Sequence, residues 1–177
     1  MLIILTAITL AFVFLVLYGA LSDLSSFRIP NWVSYGLVGL FALQSILLWG
    51  TEAPIPMFGF RLPPLMINLG IGLVVFITCL VFWARGYIGG GDAKYLVAIS
   101  LWMGPIGVVQ FMVLVSGLSV IMALALKASA DWSFLVHASG LPKFVKQLYA
   151  KLEDNKLPFG FPIGIAALIM IPHVFGH

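Results

Sequence analysis

Two stretches of the sequence place a carboxylate where a long apolar run begins or ends. Gly89-Gly90-Gly91-Asp92-Ala93-Lys94 opens one run behind three glycines, and Leu21-Ser22-Asp23-Leu24-Ser25-Ser26-Phe27-Arg28-Ile29-Pro30-Asn31 closes another. Two carboxylates brought close cannot both ionise easily, so they share a proton and their apparent pKa values split. The ionised member can then activate water while the protonated one delivers a proton to a departing amide nitrogen. That is a route to peptide hydrolysis that needs no metal and no cofactor. Glycines such as Gly89 and Gly91 would let a peptide backbone approach Asp92 closely.

Each aspartate also has a plain structural account. Asp92 could cap a helix, and Asp23 could close a turn. Their shared placement favours chemistry. The chain has only six acidic residues, and Glu52, Asp131, Glu153 and Asp154 fall in polar connections, where solvation is the default. The other two lie at the ends of apolar helices, where an ionisable group is costly and usually functional.

The elements that position this pair follow from composition. The chain has 177 residues, 62% of them hydrophobic and 8% charged. Soluble domains are about a quarter charged. The apolar residues come in long runs without β-type alternation, which predicts an all-α, polytopic transmembrane bundle in one domain. A crossing needs roughly 20 apolar residues. About six spans are expected on that basis, near 2–21, 32–49, 65–83, 93–103, 106–126 and 159–175, the fourth being short. The first lacks a basic leading region and is longer than a signal-peptide core, so it reads as a retained helix. Gly50 to Pro64 reads as a short ordered connection.

Charge sets the orientation. Arg28, Arg85, Lys94 and the five lysines between Lys127 and Lys156 fall on one side of such a bundle, and only Arg61 falls on the other. The richer side is expected to be cytoplasmic, with both termini outside. Asp23 and Asp92 then share the cytoplasmic face. The loop 127–157 is the most polar part of the chain. Within its segment 142–153, Phe144, Val145, Leu148, Tyr149 and Leu152 fall on one helical face and Lys143, Lys146 and Lys151 lie off it. This pattern predicts a helix on the membrane surface.

Other chemistries find little support. His137, His173 and His177 have no metal-ligand spacing with a carboxylate. His173 and His177 are expected at the outer interface. Cys79 is a single cysteine in an apolar run and reads as packing. The glycine run lacks the spacing of a phosphate loop. The lysines fit the membrane pattern without nucleic acid. Lys94, two residues after Asp92, points to another helix face. It is read first as reaching for headgroups, with tuning of the pair or holding a substrate carbonyl as alternatives. Arg28 carries the same alternatives.

Asp23 before Arg28-Ile29-Pro30-Asn31, together with Gly89-Gly90-Gly91-Asp92-Ala93-Lys94, resembles the type IV prepilin peptidases. These are aspartic intramembrane proteases that share a G-x-G-D motif with presenilins. Here Gly89, Gly91 and Asp92 form the motif, and Pro158-Phe159-Gly160 also looks like that family. The resemblance spans nearly the whole chain. It implies an inner-membrane enzyme that removes the leader from prepilin-like precursors on the cytoplasmic side, usually after a glycine. Asp23 and Asp92 would be the catalytic pair. Larger members carry a cysteine-containing insertion with N-methyltransferase activity, and this chain has neither insertion nor paired cysteines. It resembles the short branch of Flp/Tad-type pili or archaeal preflagellins, the bacterial branch being favoured, and methylation is not expected.

Two other readings use the same bundle. In a pilus or secretion scaffold the aspartates would be caps. In a small ion-coupled transporter they would bind a proton or cation. The sequence sets no oligomeric state.

Overall fold

The structure, a computed structural model, describes residues 2–26, 28–50, 55–57, 60–130 and 158–175. The proposed surface helix at 142–153, the lysines from 143 onward, His137, His177 and the four solvated acidic residues lie outside the described residues. Helix α1 runs from Leu2 to Ser26 and α2 from Asn31 to Leu47. A short antiparallel hairpin follows, β1 Ile55–Met57 and β2 Phe60–Leu62, with Ile55 opposite Leu62 and Met57 opposite Phe60. Then come α3 (Pro64–Ala84), α4 (Gly90–Ser100), α5 (Gly104–Ala130), α6 (Gly160–Ile169) and α7 (Ile171–Phe175). Apart from the hairpin, every described regular element is helical, as expected.

The helix ends have readable causes. Pro30 and Pro63 hold extended backbone just before α2 and α3, and Pro64 occupies the first turn of α3, where its missing N–H costs nothing. At the other end of α3, Gly86 adopts φ +77, the left-handed region that favours glycine. Its N–H donates to the Trp83 carbonyl at 2.9 Å, and the Tyr87 N–H donates to the Phe82 carbonyl at 2.9 Å. The Phe82 and Tyr87 rings meet with centroids 6.1 Å apart. This is a complete Schellman cap with its apolar contact. The last apolar stretch is two helices rather than one. Pro172 has no N–H to donate to Leu168, and the helix breaks at Met170.

Three helices are long and apolar enough to cross a membrane: α1 over Ile3–Ser26, α3, and α5 over Gly104–Ala125. Helices α2 and α6 are shorter apolar helices. Many large apolar side chains point outward, among them Leu10, Phe14, Val74, Phe76, Ile121 and Leu124. Among the described residues, the buried polar or charged ones are Asp23, Ser34 and Ser100. Apolar outside and with few polar groups within, the molecule is a membrane protein.

Helix α1 packs against α2 and α6, and α4 against α2, α3 and α6. Far from the glycine run, Trp102 gathers Phe12, Phe41 and Phe175, with centroids 4.8, 5.8 and 5.6 Å away. In lipid the apolar surroundings give little drive to bury such rings, so close packing holds the helices together.

Candidate active site

Asp23 lies inside α1, one turn before its end, and is 3% exposed. The helix was expected to stop near Leu21. It continues because serines finish it. The Ser26 and Ser25 hydroxyls donate to the Ser22 carbonyl at 2.8 and 3.2 Å, and the Ser22 hydroxyl donates to the Arg28 carbonyl at 2.9 Å. These bonds turn the chain back toward α2. Asp23 therefore projects from a formed helix.

Asp92 lies in the first turn of α4 as its third residue, rather than at the cap position expected for it. Gly89 is the N-cap, with extended backbone. The Asp92 carboxylate reaches back to the Gly89 N–H, as the third residue of a capping box does. A Cβ at Gly89 would stand 2.9 Å from Asp92 Oδ2, so the carboxylate lies directly over that glycine. Asp92 precedes the apolar body of α4 and lies outside the three helices long enough to cross. Its carboxyl is pushed up to about 7, chiefly by burial and then by the neighbouring charge of Asp23, against the pull of the Gly89 hydrogen bond. Asp23 and the start of α4 that carries Asp92 both lie beside Ile29 and Gly160.

The segment between α1 and α2 runs through the site. A Cβ at Gly91 would lie 3.6 Å from the Ile29 carbonyl oxygen, so the Ile29 backbone crosses α4 at its glycines. On the other flank is Gly160. A Cβ there would stand 2.9 Å from both Cβ and Cγ of Asp23 and 2.5 Å from Cδ1 of Ile29. Pro158, before it, is fully buried. The structure thus gathers Asp23, Asp92, Gly89, Gly91, Gly160 and Ile29 at one end of the bundle.

Two expected contributors stand further out. Lys94 is exposed, and its Nζ donates to Asn31 Oδ1 at 3.2 Å, linking α4 to the start of α2. Arg28 is exposed and joins the site through its main-chain carbonyl. His173 is exposed, with Nε2 2.5 Å from where a Cβ on Gly107 of α5 would stand. Cys79 is buried in α3. Among the described residues, no group of three or more His, Cys, Asp or Glu is placed to hold a metal ion.

Sequence reading missed Tyr95 and Ile29. Tyr95 is wholly buried, and its hydroxyl donates to the Val16 carbonyl of α1 at 2.8 Å. Its only signal was its position three residues after Asp92, on the same side of α4. Ile29 looked like any apolar residue in a link.

The sequence model of the type IV leader peptidase family matches residues 10–126, a stretch that holds both aspartates, the link between α1 and α2, and the glycine run. The chain belongs to the type IV leader peptidase family. No curated protein and no solved structure matches it. Membership of the leader peptidase family makes this a peptidase-like membrane protein. The match ends before the buried Pro158 and before Gly160, which the fold brings to Asp23.

Proposed function

We propose that the chain is a membrane-embedded aspartic endopeptidase that cleaves the leader from prepilin-like precursors at the cytoplasmic face of the inner membrane. The observation that carries this reading is the convergence of the buried Asp23 of α1, Gly160 of α6 and the glycines beside Asp92 in α4 around Ile29. The pair holds one proton. The ionised carboxylate takes a proton from water as the water oxygen bonds to the scissile carbonyl carbon. The protonated partner gives its proton to the amide nitrogen as the carbon–nitrogen bond breaks. The products are a leader carboxylate and a new amine on the mature chain, and the pair is ready after one proton exchange.

Six crossings with both termini outside would put this site at the cytoplasmic surface, next to the apolar helix of a precursor. Without the cysteine-containing insertion, the new N-terminus would remain unmethylated. The short form fits a Tad-type pilus enzyme.

The test is co-expression with a small Flp-type or type IV prepilin, reading the size shift of the precursor for wild type, Asp23→Asn and Asp92→Asn. Cleavage that vanishes in both variants at unchanged membrane levels is expected. Cleavage that survives either substitution removes the two-aspartate mechanism. No cleavage of any precursor by wild type turns the reading toward a scaffold, and ion-dependent flux without cleavage turns it toward a transporter.

A further inference from the structure

We propose that Tyr95 is a positioning residue for the aspartate pair: its hydroxyl ties α4 to the main chain of α1 about two turns below Asp23 and so fixes the separation of the carboxylates. This rests on the peptidase reading above. Tyr95 heads the fully buried side chains ranked by size. It follows Asp92 by three residues, so the two share a face of α4. Val16 and Gly19 precede Asp23 by seven and four residues, so all three share a face of α1. The ring therefore meets α1 at Gly19, about one turn below Asp23, and its hydroxyl bonds at Val16, about two turns below, on the same seam.

The packing around the ring is built for it. A Cβ at Gly19 would stand 2.9 Å from Tyr95 Cε2, and a Cβ at Gly164 would stand 3.2 Å from its hydroxyl. Two glycines, one on α1 and one on α6, thus leave the space the ring fills. A phenylalanine or leucine would fill most of that space. The hydroxyl adds a bond that an apolar side chain cannot make, 2.8 Å long and directed at the helix that carries Asp23 rather than at its own. The Val16 carbonyl can accept it beside the α1 helical bond, because a carbonyl oxygen has two lone pairs. Displacement of a reacting group by about 1 Å can cost as much as a hundredfold in rate.

The test compares wild type with Tyr95→Phe, which keeps the ring and loses only the bond. One arm follows precursor cleavage in vesicles for kcat, KM and the pH profile. The other arm introduces Asp23→Cys and Asp92→Cys in a Cys79→Ala background and measures the disulfide yield with Tyr95 or with Tyr95→Phe. The expected result is a kcat lower by about tenfold with KM nearly unchanged, a displaced pH profile, and a changed disulfide yield. A Tyr95→Phe protein with wild-type kcat, pH profile and disulfide yield overturns the proposal. So does a lower kcat with the pH profile and disulfide yield unaltered, which marks a general loss of stability. If wild type cleaves no precursor, the peptidase reading fails instead, and the disulfide arm alone decides whether Tyr95 sets the separation.

Discussion

At Gly160, one missing methyl group keeps Asp23 in place. A side chain there would press on Cβ and Cγ of Asp23 and on the Ile29 side chain, at 2.9 and 2.5 Å. Backbone-anchored atoms cannot give way cheaply at that distance. Gly160→Ala is expected to lower precursor cleavage by about tenfold or more through misplacement of the carboxylate, with membrane levels near wild type, as a cleavage assay beside an immunoblot would read. Asp92 supplies a pH prediction. Its folded value of about 7 lies above the ordinary 3.8. Folding therefore favours its protonated form, and that stabilisation is present at acid pH and lost as pH rises toward about 7. Cleavage that needs one proton on the pair should fall on the alkaline side with a midpoint near 7, read from kcat between pH 5 and 9. The two aspartates were legible because charges are scarce in this chain, and position alone marked them out. Tyr95 was not legible. An aromatic residue in an apolar run carries no pattern, and its partner Val16 lies 79 residues away in sequence. The partner of Lys94, Asn31 at the start of α2, was not legible either.

Helix α3 hands the chain to the glycine run through Gly86. With φ at +77, the cap stands in a conformation that a side chain resists. Gly86→Ala should destabilise the fold by about 1 kcal/mol, loosening the approach to Asp92. Thermal unfolding in detergent would show the lowered midpoint, and Gly70→Ala, at an open position on the same helix, serves as control. The helices themselves were readable from their apolar runs, and the structure has a helix at every expected span. Their ends were less so. The end of α1 depends on serine hydroxyls bonding back to helix carbonyls, a use of serine that composition does not distinguish from a loop. The capping role of Asp92 fell at the third helical residue because Gly89 takes the cap position. The hairpin between α2 and α3 arises from pairing of Ile55 to Met57 with Phe60 to Leu62, in a stretch that reads from its sequence only as a short ordered connection.

At the scale of the molecule, the helical membrane class and the candidate pair were legible in the sequence, whereas the packing was not. Nothing in the apolar runs says that α6 lies along α1, or that glycines on both helices open the seam where the carboxylates and Tyr95 sit. Such contacts are set by shape, not by hydrophobicity, once every helix is apolar. The helices also differ greatly in length. Helix α1 has 25 residues, while α4 has 11 and α6 has 10. At 1.5 Å per residue, α4 and α6 are each only about 15 Å long. A bilayer's hydrocarbon core is about 30 Å thick. Two of the three helices that form the site therefore reach only about half-way through it, a mismatch that a thinner bilayer relieves. On the peptidase reading, bilayer thickness becomes a control on cleavage. In vesicles of short-chain phospholipid the mismatch is relieved, and precursor cleavage should be faster than in vesicles of long-chain phospholipid at equal protein density.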